Sequence, residues 1–250
     1  MDEEKSKFYT KSSMLYWYPK IKDLPIPQPK TIFILQDDHW WDYLDGRVFS
    51  KQMIKTLKIG IANLGGTPVF MRTDLASGKH QFVQSSFVDS IASVSQRLYC
   101  LIEQNATHSL LFDSIVIREY ITLNWKFKAF NGLPIASERR YFIKDGQVQC
   151  HHPYWPEQAI KFYGDTRQTW KNTNWSLDLE NLNFETAKEI ETLTEYAELV
   201  GAVLSGSWSV DFVKSAKGVW YLIDMALAEE SWHPEHADRP QSPNSYTIDS

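Results

Sequence analysis

Two aspartates in apolar surroundings are the strongest chemical signal in this 250-residue sequence. Asp211 lies in the run VDFV and Asp224 ends the run VWYLID, and Ala216-Lys217-Gly218 separates the two runs. β-Branched and aromatic runs around such a turn predict a β-hairpin, in which the two carboxylates face each other across one ladder. Aspartate is a poor strand former, and ligation of Mg²⁺ is one reason to find it there. The alternative is that both aspartates lie at strand ends in water.

Cations occur where an anionic ligand would be bound. Arg72 ends the strand-like run that starts at Pro68, and Ser77-Gly78-Lys79 follows in a loop of small residues. A guanidinium suits phosphate because it has several donors and a permanent charge, while Ser and Gly let backbone N–H groups approach closely. The structural alternatives are an exposed strand-end charge and an ordinary loop. The spacing does not fit the P-loop pattern.

A third charged segment is SERRYF. Because side chains alternate along a strand, Glu138 and Arg140 share one face with Phe142, while Arg139 and Tyr141 point the other way. The Glu138/Arg140 pair could bind phosphate or an acceptor carboxylate, or it could be a structural salt bridge.

Composition narrows the classes of protein. The net charge is −5, with 26 Lys+Arg and 31 Asp+Glu, which argues against broad nucleic-acid binding. The N-terminal sequence lacks signal-peptide order and no apolar run approaches membrane-spanning length, so we expect a cytoplasmic protein without a membrane partner. Two cysteines are too few for a disulfide framework. The 10 tryptophans leave a glycan-binding module as an alternative, although most of them lie in strand-like runs typical of a core.

Hydrophobic periodicity and turn signals predict a mixed α+β order. Residues 1 to about 30, with Pro25, Pro27 and Pro29, are predicted to form an extended lead-in. The predicted strands cover residues 31–35, 68–72, 114–122, 136–143 and 148 onward, with turns at Asn131-Gly132 and Asp145-Gly146. The predicted helices cover residues 50–64, 86–103 and 184–203. The chain after Pro234 is predicted to be irregular.

Four segments occur in an order that resembles the ATP-grasp superfamily. They are VFMRTDLASGKH from Val69, IVIREYI from Ile115, SERRYF with Asp145-Gly146, and the aspartate hairpin. They are similar to the small phage and bacterial members related to the eukaryotic cell-division-cycle proteins that assemble a translation factor. The resemblance covers residues 65–236. It implies an α+β ATP-grasp fold in which two α+β subdomains clasp a nucleotide, after a small αβ N-terminal layer. The implied domains are residues 1–64, 65–236 and an irregular tail at 237–250.

The resemblance also implies roles for particular residues. ATP would contact Arg72, Ser77, Gly78, Lys79, Glu119, Tyr120, Ile121 and Glu138, with residues 119–121 forming the hinge whose main chain reads adenine. Asp211 and Asp224 would bind Mg²⁺, and Lys79 and Arg140 would act in catalysis. The sequence departs from the family where an amide ligand is expected two residues after the second carboxylate, because Ala226 stands there. Glu229, Glu230 or water would then complete the metal shell.

The implied activity is an ATP-dependent carboxylate–amine ligase that acts through an acylphosphate. Its substrates would be a small-molecule, peptide or protein carboxylate and an amine. The alternative is an ATP-binding assembly or regulatory protein without turnover. A zinc site from His233, His236 and Cys150-His151-His152 is a further alternative, but neither group has a second matched pair at the usual spacing.

Overall fold

The computed structural model describes residues 11–35, 40–163 and 174–234. The described helices are α1 (Met14–Ile21), α2 (Lys51–Asn63), α3 (Val94–Thr107), α4 (Glu157–Tyr163), α5 (Trp175–Asn183) and α6 (Ala187–Val203). The described strands are β1 (Thr31–Leu35), β2 (Val69–Thr73), β3 (Phe87–Val88), β4 (Ser114–Glu119), β5 (Phe127–Ala129), β6 (Leu133–Ile135), β7 (Glu138–Lys144), β8 (Gln147–Pro153), β9 (Ser207–Lys214) and β10 (Trp220–Leu227). This mixture of helices and antiparallel strands confirms the α+β class.

The first sheet has the strand order β1-β4-β2-β3. Alternation along the strands gives it two different faces. Val69 and Met71 of β2 and Ile117 of β4 belong to the core under α2 and α3. Arg72 and Arg118, which alternate with those residues, therefore lie on the opposite face.

The second sheet has the order β10-β9-β7-β8, all antiparallel. Tyr141 of β7 and Phe212 of β9 pack in one core with residues of α6 and α1. Glu138, Arg140 and Asp211 alternate with these core residues. Charged side chains of the second sheet are thus turned away from α1 and α6.

The N-terminal prediction is wrong for one segment. Residues 14–21 form α1 rather than an extended lead-in. Met14, Trp17 and Ile21 recur at helical spacing and are fully buried in the core of the second sheet. Ser13 caps the helix, because its Oγ accepts a hydrogen bond from the Leu15 N–H. The prolines follow this helix.

Two predicted helix starts are also wrong. The helix predicted from Ser86 begins at Val94, because Phe87–Val88 pairs with β2 as an edge strand. The helix predicted from residue 184 begins at Ala187, where Thr186 and Glu189 form a capping box. The sequence reasoning missed α4 and α5 altogether.

The other predicted strands and turns are confirmed within a few residues. Asp145 and Gly146 take positive φ angles of 48° and 85° at the β7–β8 turn. The β9–β10 hairpin is closed by the Ser215 N–H donating to the Val219 carbonyl. Gly65 and Gly66, at φ 98° and 100°, end α2 as predicted. The predicted irregular tail lies outside the described residues. None of the described helices is both long and apolar enough to cross a membrane.

Candidate nucleotide-binding cleft

A cleft of about 740 Å³ lies between the two sheets. This is the size of a small-molecule site. Its apolar end is lined by Pro29, Phe70, Phe82, Tyr120, Ile121, Leu123, Leu133, Pro134, Trp155, Val213 and Ile223. Its polar end is lined by Arg72, Ser77, Lys79, Arg118, Glu119, Glu138 and Asp224. A ligand with a flat apolar group and a charged tail would match this division.

The segment after β4 connects the two sheets along one wall of the cleft. Glu119 ends β4, and its backbone N–H donates to the Lys30 carbonyl at 2.8 Å. Farther along, Leu123 forms an isolated bridge with Ser215 next to β9. Residues 119–121 therefore line the cleft as the link between the first and second sheets.

Two ion pairs cross the cleft. Arg72 Nη1 of the first sheet lies 2.7 Å from Asp224 Oδ1 of the second. Lys79 Nζ, in the loop after β2, lies 2.8 Å from Glu138 Oε1 of β7. Burial opposes the charge of Lys79, but Glu138 outweighs it and the pKa of Lys79 is raised. The cations meet carboxylates across the space that separates the sheets.

The loop that carries Lys79 is held by hydrogen bonds beneath it. Ser86 Oγ donates to the Ser77 carbonyl at 2.9 Å, and Ser85 Oγ donates to the Gly78 carbonyl at 3.2 Å. Gly78 has φ +63°, and a Cβ there would lie 2.8 Å from Ser86 Oγ and 3.0 Å from a Leu101 methyl carbon. Glycine is required at this position, both for its backbone conformation and for the close packing.

The two aspartates are register partners in the hairpin. Asp211 pairs with Asp224 between β9 and β10, next to a bulge that lies between Leu222 and Asp224. Arg140 binds Asp211 with two parallel hydrogen bonds of 2.8 Å, from Nε to Oδ1 and from Nη2 to Oδ2. This bidentate pair is nearly buried, with 12% and 5% of the side chains exposed. Asp224 is more accessible, at 25%.

The donor set fits Mg²⁺ held jointly with a phosphate ligand. The described residues contain no group of three His, Cys, Asp or Glu side chains that could hold a metal by themselves. Mg²⁺ commonly uses one or two carboxylates and takes its other ligands from phosphates and water. Asp224 offers such a carboxylate at the cleft, with Asp211 beside it. The proposed third ligands are not convergent: Glu229 is exposed, and Glu230 Oε2 accepts a hydrogen bond from Ser12 Oγ.

The histidine and cysteine residues do not form a zinc site among the described residues. His151 stacks on Tyr141 on the core face of β8, whereas Cys150 and His152 lie on the other face. Cys150 Sγ lies 3.1 Å from His233 Nε2, a contact that spacing along the chain did not predict. His236 lies outside the described residues. The tryptophan count also has a structural explanation, because Trp17, Trp40, Trp155, Trp208 and Trp220 are buried.

The predicted site residues separate into two sets. Arg72, Ser77, Lys79, Glu119, Tyr120, Ile121, Glu138 and Asp224 line the cleft. Gly78, Arg140 and Asp211 lie beside it: Gly78 lines a neighbouring depression with His80 and Tyr154, and the other two form their own ion pair. Tyr154 connects these groups, with its ring centroid 3.7 Å from Lys79 Nζ and 4.6 Å from Arg140 Cζ. Arg118 also lines the cleft and was not among the predicted site residues.

Comparison with known families identifies this architecture. Residues 63–242 match the model of an ATP-grasp domain family, the third family of its clade. The chain belongs to this ATP-grasp family. Its fold is therefore the ATP-grasp fold, as the four segments implied. No curated protein matches the sequence.

Solved structures show the same ATP-grasp fold at low sequence identity. Cdc123 from Schizosaccharomyces pombe is 13% identical, with a TM-score of 0.59 over 88% of this chain and 85% of that one. A C-terminally truncated form of the same protein gives a TM-score of 0.56 over the same shares at 13% identity. D-alanine–D-alanine ligase from Bacillus anthracis, complexed with ATP, is 14% identical over 87% of this chain and 55% of that one, with a TM-score of 0.47.

Proposed function

We propose that this ATP-grasp protein is an ATP- and Mg²⁺-dependent carboxylate–amine ligase that acts through an acylphosphate. The observation that carries the proposal is the two-ended cleft of a chain in this family, with Arg72, Lys79 and Asp224 gathered at its polar end. A nucleoside suits the apolar end and a polyphosphate suits the cations.

The base and the phosphates use different parts of the cleft. Main-chain groups of Glu119, Tyr120 and Ile121 hold adenine, with Ile121 and neighbouring apolar side chains against its faces. Arg72, Ser77 and Lys79 bind phosphate oxygens, and Glu138 fixes the position of Lys79. When bound, Mg²⁺ supplies charge neutralisation at the phosphates, and Asp224 with Asp211 would hold it.

Nucleotide binding exchanges partners at the polar end. In the structure the positive charges of Arg72 and Lys79 are satisfied by Asp224 and Glu138. Phosphate oxygens offer the cations a new partner, which leaves carboxylate oxygens available for the metal. Each buried group therefore keeps a partner of opposite charge, so its desolvation is compensated before and after binding.

The chemistry requires no protein nucleophile. A substrate carboxylate oxygen attacks the γ-phosphorus, the bond to the β-γ bridging oxygen breaks, and ADP leaves. An amine nitrogen then attacks the acyl carbon of the acylphosphate and loses its proton as phosphate leaves. Lys79 and Arg140 contribute positioning and charge, as phosphoryl transfer demands. The acceptor carboxylate is small, peptidic or part of a protein, and the amine completes an amide bond.

The proposal is tested by following ADP and new amide products. The protein is incubated with Mg²⁺, labelled ATP and cell extract, and then with fractions of that extract. Slow ADP formation by the protein alone is expected to rise when the correct carboxylate and amine are present, and a new amide mass should appear. Binding of ATP with no ADP formed across broad sets of acids, amines and extracts would reject ligase activity.

A second candidate is an ATP-binding assembly or regulatory protein without turnover. The observation that favours it is Ala226, which stands two residues after Asp224 on the same face of β10 and offers no ligand. A site with fewer ligands could hold nucleotide without activating it. Binding of ATP with no ADP release is the result expected of this candidate.

A further inference from the structure

Arg118 is a buried arginine whose environment leaves part of its guanidinium without a partner. It lies on β4, is 3% exposed, and lines the polar end of the cleft. Its Nε donates to Thr31 Oγ1 at 3.1 Å, and its Nη1 donates to the Ile223 carbonyl. Its Nη2 is buried and makes no hydrogen bond to any described residue.

The other buried arginines are each paired with a carboxylate. Arg72 pairs with Asp224, Arg139 with Glu185, and Arg140 with Asp211. Within residues 11–35, 40–163 and 174–234, Arg118 forms no ion pair. A buried charge is costly unless it is paired and hydrogen-bonded. The exception therefore requires a reason, and its position in a cleft provides one.

The local balance of charge has the same sign. Arg72 and Arg118 lie close enough for each to oppose the other's charge, and Asp224 is the carboxylate that faces both. Burial, and then Arg72, lower the pKa of Arg118 to about 10, while Asp224 acts in the opposite direction. The side chain still carries its charge at neutral pH, so two guanidiniums share one carboxylate.

We propose that Arg118 is a phosphate-binding residue of this cleft, which together with Arg72 receives the phosphate nearest to the nucleoside. The inference rests on the proposed nucleotide function. Arg118 directly precedes residues 119–121, where the base is proposed to bind, whereas Lys79 projects from the loop on the far side. A phosphate next to the nucleoside is therefore the one within its reach. Nη2 donates to a phosphate oxygen, as guanidinium groups commonly do.

The test compares ligands that differ by one phosphate. Adenosine, AMP, ADP and ATP are titrated calorimetrically into the wild type, Arg118→Met and Arg118→Lys. Arg118→Met should weaken binding of AMP and ATP by about ten- to a hundredfold and change adenosine binding by less than about twofold. Arg118→Lys should recover part of the loss, because it keeps the charge but not the second donor. Arg47→Gln, which removes a half-exposed positive charge elsewhere, should leave all four affinities unchanged.

The outcomes separate a phosphate role from a structural one. Equal weakening of adenosine and AMP would make Arg118 a structural residue, and unchanged AMP binding by a folded Arg118→Met would also overturn the proposal. If Arg118→Met does not fold by circular dichroism, the AMP-to-adenosine affinity ratio of Arg118→Lys decides in the same way.

Pyrophosphate distinguishes this inference from the nucleotide function. If the wild type binds pyrophosphate in an Arg118-dependent manner but binds no adenine nucleotide, the anion site stands and the nucleotide proposal falls. If ATP binds but the AMP-to-adenosine ratio does not depend on Arg118, the nucleotide proposal stands and this inference falls. If neither pyrophosphate nor nucleotide binds, both are overturned.

Discussion

Asp211 and Asp224 are register partners on neighbouring strands, yet each is bound by an arginine from a different part of the fold. Arg140, on the next strand of the same sheet, takes both oxygens of Asp211. Arg72 reaches Asp224 from the opposite sheet. Asp211 is thus tied within its own sheet, whereas Asp224 belongs to a contact that ligand binding can exchange.

Asp224→Asn is expected to remove the Mg²⁺-dependent part of ATP affinity and any ADP formation while leaving the fold intact. Asparagine keeps the size but not the charge that a divalent cation needs. Thermal melts with ATP, with and without Mg²⁺, measure the effect, since a ligand at a hundred times its Kd stabilises by about 2.7 kcal/mol. Glu191→Gln, an exposed change on α6, is the control. Equal stabilisation of Asp224→Asn and wild type by MgATP would show that the aspartates are not the metal site.

Arg72→Ala is expected to weaken ATP binding by about ten- to a hundredfold, because a charge-assisted hydrogen bond contributes about 1.5–3 kcal/mol. Lys79→Ala should act in the same direction, and calorimetry gives both affinities. Arg47→Ala is the matched control for loss of a charge away from the cleft. Full ATP affinity in the Arg72→Ala/Lys79→Ala double variant would contradict the assignment of these cations.

The Arg140–Asp211 pair is expected to couple strongly in a double-mutant cycle. Either Arg140→Gln or Asp211→Asn should cost about 3–5 kcal/mol of unfolding free energy, because it leaves a nearly buried charge unpaired. The double variant should lose less than the sum of the two. Urea unfolding of the four proteins measures the coupling. Strict additivity would mean that the bidentate contact contributes nothing to stability.

Ala226→Asn is expected to strengthen Mg²⁺-dependent ATP binding, by about 1 kcal/mol or more. Position 226 pairs with Ser209 and lies on the same face of β10 as Asp224, so an amide there points toward the proposed metal. Ala226→Leu adds similar volume without the oxygen and is the matched control. Equal Mg²⁺ dependence in the two variants would reject position 226 as a ligand position.

His152 is expected to make the protein less stable in mild acid. Burial lowers its pKa to about 4, with Arg140 and His233 adding to the effect and the bond to the Pro153 carbonyl opposing it. An unfolded histidine titrates near 6.5, so between these values the unfolded chain binds a proton that the folded chain does not. The stabilisation is complete above pH 6.5 and is lost as pH falls toward 4, by about 3 kcal/mol in full.

Urea unfolding at pH 7 and pH 4.5 checks this pH dependence. His152→Phe should reduce the difference in unfolding free energy between the two conditions. His108→Gln, at an exposed position after α3, should not. An unchanged difference in His152→Phe would assign the acid sensitivity to other groups.

The sequence by itself determined the local features of this protein. The β9–β10 hairpin, with its aspartates opposed, follows from alternation around a turn, because neighbouring strands joined by a short turn have one preferred pairing. The α2 helix and its glycine stop were equally local. The order of four charged segments was enough to indicate the family that the comparison then confirmed.

Only the tertiary structure decided which charges meet. Arg72 is distant in sequence from Asp224, and nothing in either strand selects that partner over Glu138. Arg118 resembled any charged strand residue until folding buried it beside the Ile223 carbonyl and Arg72. The start of α3 likewise depended on β2 recruiting Phe87–Val88 as an edge strand. Periodicity and turn chemistry act between neighbours along the chain, whereas burial and ion pairing depend on segments that only the packed sheets bring together.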